Sequence, residues 1–200
     1  LTPWVLLLAG LVVVAPYLRE VGVKGRLWFV VTYLITYLLE VIGVATGHVF
    51  GAYEYGTVLG FHLFDVPLII GFNWVLVILG FLRGVQEVRA VLGRRAAAPA
   101  SGGASGGGAP SAGMCILLET LGPAVAAVIF DYVMEPIAIR LEYWIWDGTV
   151  VPLQNYLAWF LIALFAAAAF RILRIEFSSK IPLYYTFIQL FFFIGLYAVT

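Results

Sequence analysis

The chain has 200 residues, 64% of them apolar and only 11% charged, with a mean hydropathy of +1.05. A soluble domain of this size needs far more charge to cover its surface, so the composition predicts an integral membrane protein of all-α class, a polytopic helical bundle. The formal net charge is zero and singles out no partner, while the single cysteine, Cys115, excludes an internal disulfide framework and a cysteine-based zinc site.

Six apolar segments, roughly residues 1–18, 27–47, 66–82, 114–133, 155–170 and 181–200, approach the ~20 residues that cross a bilayer as helix. They form a single transmembrane domain over residues 1–200. The first opens on Leu1 inside an apolar run rather than on Met, which leads us to expect further sequence ahead of it, with one more helix. It lacks a basic n-region and a cleavage site, so it does not read as a signal peptide.

The second segment runs into EVIGVATGHVFGAYEYG, residues 40–56. A carboxylate in an apolar helix is costly and marks function or a structural hydrogen bond, facing protein or a wet cavity. Gly43, Gly47 and Gly51 recur every fourth residue, predicting a smooth stripe where another helix packs, on the same side as Glu40. After this segment Asp65 precedes Val66-Pro67, where it either caps the third helix or joins the other acids.

The third and fourth segments are joined by a low-complexity Ala/Gly/Ser/Pro stretch at about residues 94–113, which reads as a flexible cytoplasmic loop. In the fourth, Asp131 and Glu135 are four apart on one helical face. Two such carboxylates in low dielectric resist double ionisation, which makes one a candidate proton donor. Pro136 disfavours helix at Glu135 and predicts a break or kink there.

Every lysine and arginine except Arg140 lies in the connections after the first, third and fifth segments. Alternate connections of a six-span chain share one side, and the positive-inside rule makes that side cytoplasmic. Most acids outside those connections gather toward the opposite ends of the segments: Glu40, Glu54, Asp65, Asp131, Glu135, Glu142 and Asp147, with Glu119 also in this set. Glu40 lies 14 residues past Arg26, roughly 21 Å at helical rise, in the outer half of the hydrocarbon core. Tyr53, Tyr55, Tyr143, Trp144, Trp146, Tyr156 and Trp159 fall in the same layer. They read either as an interfacial aromatic belt or as a cage whose ring faces stabilise a cation.

The two halves echo each other: an acid-bearing helix, an aromatic loop, then a helix begun by Pro67 or Pro152. His48 and His62 are the only histidines, and nothing in their spacing demands a two-histidine, one-carboxylate iron site. There is no phosphate-binding glycine loop, nucleophile elbow or basic stripe for nucleic acid.

The order Glu40, Gly43, Thr46-Gly47, Phe50-Gly51, Tyr53, Tyr55, Pro67, Trp74, followed by Asp131, Glu135-Pro136, Trp144, Trp146, Val151-Pro152-Leu153, Asn155 and Trp159, resembles the carotenoid biosynthesis membrane protein family. The resemblance spans about residues 40–160. The chain departs from the family pattern in having Glu135 where an aspartate precedes the proline, and Leu141-Glu142 where a glycine precedes the tryptophans. The family's characterised members are carotenoid hydratases, including the bisanhydrobacterioruberin hydratase type. The resemblance therefore implies addition of water to a terminal C=C bond of an acyclic or monocyclic carotenoid, giving a tertiary alcohol.

That chemistry needs an acid to protonate the alkene, a shelter for the tertiary cation and a route for water. On this reading Asp131 is the first choice for the acid and Glu135 the next, with Glu40 and His48 orienting water and Asp65 in the same acid set. Tyr53, Tyr55, Trp144 and Trp146 line the cation pocket, joined by Trp74, Asn155 and Trp159 in binding substrate. No metal or cofactor is implied. The expected partners are the carotenoid, the lipid bilayer and other enzymes of the carotenoid pathway, with no nucleic acid. Two rival readings suit the same residues: a membrane transporter, and another carotenoid or isoprenoid enzyme such as a cyclase or isomerase that protonates without capturing water. The cluster of acids counts against a third, a structural membrane subunit.

Overall fold

A computed structural model describes residues 2–97, 111–148 and 150–199. Most of the Ala/Gly/Ser/Pro loop expected between the third and fourth segments lies outside them. The described residues contain six helices: α1 (Thr2–Glu20), α2 (Val23–Thr46), α3 (Leu68–Ala97), α4 (Ala112–Arg140), α5 (Leu153–Ile172) and α6 (Ile181–Val199). Each is long and apolar enough to cross a membrane. The chain is an all-α integral membrane protein, as its composition requires.

The helices outrun the apolar segments. α3 has 30 residues and α4 has 29, roughly 45 Å at helical rise against a core of about 30 Å. Hydropathy marks only the part of a helix that lipid surrounds. Gln86, Glu87 and Arg89 are good helix formers and carry α3 on beyond it. At this basic end Glu87 pairs with Arg83 and with Lys180, and Glu119 pairs with Arg89 and Arg171. Glu119 therefore belongs to the basic end, not to the acidic layer expected from the sequence. The break expected at Pro136 is also absent: α4 continues through Pro123 and Pro136 to Arg140. Neighbouring helices hold a proline-bearing helix together in a bundle.

Small residues set the helix spacing. Ala124 and Ala127 of α4 and Ala163 and Ala167 of α5 are fully buried in one core cluster, and α4–α5 is the most extensive helix pair. On α3, a Cβ at Gly80 would lie 2.1 Å from Thr186 Oγ1 and 2.6 Å from Pro182 O, so only glycine lets α6 come this close.

Short strands join the helices at the acidic end. β1 (Tyr53–Tyr55) pairs antiparallel with β4 (Trp144–Trp146), in the register Tyr53 to Trp146, Glu54 to Ile145 and Tyr55 to Trp144. Each half of the chain thus runs helix, aromatic strand, helix, and the two aromatic loops meet each other. Between β1 and α3, a hairpin of β2 (His62–Leu63) and β3 (Val66–Pro67) turns through Phe64 and Asp65. Both turn residues have positive φ, 53° and 61°, the geometry of a two-residue type I′ turn.

The predicted glycine stripe is not helical. α2 ends at Thr46, Gly47 caps it in the left-handed region with φ 67°, and Gly51 bends the chain beyond with φ 109°. Of the three, Gly43 alone lies within α2. A Cβ there would lie 2.7 Å from Phe50 Cδ2, so Gly43 makes room for a ring of its own chain rather than for a neighbouring helix backbone.

Candidate active site

The β1–β4 pair roofs a chamber between the acidic ends of α2, α3, α4 and α5. Gly56 and Tyr143, and Ala52 and Asp147, are joined by backbone hydrogen bonds just outside the strands. Alternation along the ladder makes Tyr53–Trp146 and Tyr55–Trp144 the closer, non-hydrogen-bonded pairs, whose side chains crowd together on one face. That face points inward: Trp144 and Trp146 are buried and Ile145 between them is exposed, with Glu54 exposed between the two tyrosines. Tyr53 packs on Trp146 with ring centroids 4.9 Å apart.

Three carboxyl groups meet beneath this roof: Glu40 of α2 and Asp131 and Glu135 of α4, exposed by 3%, 1% and 2%. Their donors differ, with one amide shared between the two acids of α4. Glu40 Oε2 accepts from the hydroxyls of Tyr53 and Tyr55, the latter at 2.8 Å. Glu135 Oε2 accepts from the indole N–H groups of Trp144 at 3.0 Å and Trp146 at 3.2 Å, and its Oε1 accepts from Asn155 Nδ2 at 3.4 Å. Asp131 Oδ2 accepts from the same Asn155 amide at 2.7 Å, its single hydrogen bond among the described residues. The i, i+4 spacing of Asp131 and Glu135 explains why one asparagine on α5 serves both.

The rest of the wall is aromatic. Trp74 of α3 and Trp159 of α5 stack at 3.6 Å with an interplanar angle of 18°, and Phe50 stacks on Trp159 at 5.2 Å. These groups and Met134 enclose a cavity of about 20 Å³. No lysine, arginine or histidine lines it. Three carboxyl groups packed without a cation cannot all carry charge, so the chamber stores at least one proton. The tyrosines are fixed donors: burial and then the Glu40 carboxyl hold both phenols far above their usual titration range.

Of the residues singled out in the sequence, Glu40, Asp131, Glu135, Tyr53, Tyr55, Trp74, Trp144, Trp146, Asn155 and Trp159 line this one chamber. His48 and Asp65 do not. His48 is exposed just beyond the end of α2, with its carbonyl oxygen accepting from Gln154 Nε2. Asp65 is exposed in the hairpin turn, where it neither caps α3 nor reaches the acids. Met134 went unnoticed in the sequence, although it stands one turn from Asp131 on the same face. Among the described residues no group of three or more His, Cys, Asp and Glu is arranged to hold a metal ion.

Residues 1–199 match the model of a family described as carotenoid biosynthesis protein. Over 143 residues the chain is 32% identical to bisanhydrobacterioruberin hydratase of Haloarcula japonica. That match covers 69% of this chain and 42% of the relative, so the chain spans less than half of the relative's length. No solved structure matches. The chain belongs to the carotenoid biosynthesis protein family.

Proposed function

We propose that the buried acid chamber is the hydration site of a carotenoid hydratase, adding water across a terminal C=C bond of a carotenoid to give a tertiary alcohol. One observation carries this reading: three carboxyl groups share a cation-free chamber walled by indoles and phenols. Family membership supplies the substrate class, and the hydratase name of the Haloarcula japonica relative supplies the reaction.

Asp131 is the proton donor. Glu135 and Glu40 each hold two strong donors on one oxygen, the arrangement that suits a carboxylate, whereas Asp131 has only Asn155. Asp131 gives its proton to the less substituted alkene carbon, leaving a tertiary cation on the other. Aromatic faces around the chamber stabilise that cation, and the nearby carboxylates balance its charge. A water then bonds to the cation through oxygen and gives up one proton, which returns to the Asp131 carboxylate and restores the starting protonation of the site. A cavity of about 20 Å³ holds a single water of this kind. Glu40, with Oε2 held by both phenols, keeps Oε1 to orient it. The roles of Trp74, Trp144, Trp146 and Trp159 are to shape the pocket and exclude further water. We place the basic end on the cytoplasmic side and the chamber in the outer leaflet, following the charge asymmetry of the loops.

Expression in a host that makes acyclic carotenoids tests this directly. Pigment heavier by one water is the expected product. Pigment changed in structure but not in mass indicates a cyclase or isomerase, and unchanged pigment across several acyclic substrates overturns the enzyme reading. Asp131→Asn lowers hydration by roughly 10²–10⁴-fold, the usual contribution of a general acid, in protein that still inserts at the wild-type level. Wild-type turnover by that variant removes Asp131 from the role.

A further inference from the structure

We propose that a lipid-facing groove between α2 and α5 seats the polyene chain of the substrate and delivers its end to the acid chamber. This rests on the hydratase reading above and deepens it. The groove has a volume of about 920 Å³ and runs along α2 from Leu27 to Leu39 and along α5 from Leu153 to Ala169, ending at Leu173 just past the helix. At helical rise this is roughly 18 Å along α2 and roughly 30 Å along the α5 side, the latter equal to the thickness of the hydrocarbon core. A straight, rigid, apolar rod is the shape it accepts.

Three observations favour this occupant. The groove meets the chamber at three separate places in the chain. Thr36 lines the groove one turn from Glu40 on the same face of α2, Ala158 lines it one turn from Asn155 on α5, and Val49 lines it next to Phe50 of the chamber wall. Its lining is apolar apart from Thr32, Thr36 and Gln154, with no charge to attract a headgroup or a peptide. The remaining observation is its openness. On the opposite side of the bundle α6 packs over both α3 and α4, whereas no helix among the described residues covers the α2–α5 seam. A second lipid-facing groove, about 480 Å³ between α1, α2 and α3, lacks this adjacency: none of its lining residues on those helices stands next to, or one turn from, a chamber residue.

Full-length protein in lipid nanodiscs provides the test, with two readouts. In a Cys115→Ser background, an environment-sensitive fluorophore is attached at Phe165→Cys in the groove or at Ile188→Cys on the lipid face of α6. Both positions are exposed, by 69% and 67%, so labelling leaves the core intact. Added lycopene quenches the groove label several-fold more than the α6 label. Equal quenching overturns the proposal and leaves the groove to bilayer lipid or to chain outside the described residues. For turnover, Leu161→Trp narrows the groove and Ile188→Trp serves as the control. Leu161→Trp lowers hydration of a full-length acyclic carotenoid at least tenfold and spares a truncated polyene with the same end group. Equal effects on long and short substrates also overturn it. Preferential quenching without hydration by the wild-type protein removes the hydratase reading and leaves the groove assignment standing.

Discussion

At the scale of single residues, the chamber depends on donors that never change state. Tyr53 and Tyr55 keep their protons because burial and then the Glu40 carboxyl disfavour the phenolate. The sign of the consequence is fixed. The folded state retains protons that the unfolded chain gives up near the ordinary phenol value of about 10, so this stabilisation is complete below that pH and is lost as pH rises past it. Thermal melts between pH 8 and 11 should fall at the alkaline end, and Tyr53→Phe with Tyr55→Phe should flatten that fall. Gly43 is the other sensitive position. A methyl group there meets Phe50, which is 1% exposed between Tyr53 and Trp159. Gly43→Ala should destabilise by about 1–3 kcal/mol, the usual cost of overpacking, measured as a lower melting temperature in detergent together with lower hydration. Glu40 was legible in the sequence because depth in a bilayer can be counted along a helix. Its donors were named there as aromatics of the same layer that line a cation pocket, not as hydrogen-bond partners of Glu40. Which hydroxyl meets which carboxyl depends on how two distant loops lie over α2.

At the scale of elements, the β1–β4 pair is decisive. Neither strand exceeds three residues, and a two-stranded ribbon is marginal alone. This one is held by side chains underneath it, through Glu40 and Glu135. Glu54 and Ile145 face each other on its exposed side. The pairing predicts that Glu54→Cys with Ile145→Cys, in the Cys115→Ser background, forms an intrachain disulfide under mild oxidation. Directly opposed antiparallel positions lie within disulfide reach, at a Cα separation of about 5.5 Å. No cross-link would place the aromatic loops apart and dismantle the chamber as described. The aromatic–x–aromatic pattern of YEY and WIW already carries the two-residue period of a strand with one buried face. Both loops were noticed in the sequence, but as a belt or a cage, because three residues give too short a run to announce a strand.

At the scale of the whole molecule, lipid determines which features a sequence can declare. Six spans and a basic end follow from apolar length and from the placement of lysine and arginine, since water and hydrocarbon sort those groups strongly and locally. The all-α class follows too, because a backbone crossing lipid must satisfy its own hydrogen bonds. Helix ends do not: α3 and α4 extend past the lipid, and the helical stripe predicted through Gly47 and Gly51 is a cap and a turn instead. The set of acids and aromatics was also legible, from their shared depth and from their resemblance to a family. What only the tertiary structure decided is which of them meet. It gathered Glu40, Asp131 and Glu135 around one proton-holding chamber, left His48 and Asp65 outside, and opened a groove between two helices far apart in sequence. Depth is a property of each segment by itself, whereas contact depends on how helices from both halves rotate and pack, and no local pattern encodes that.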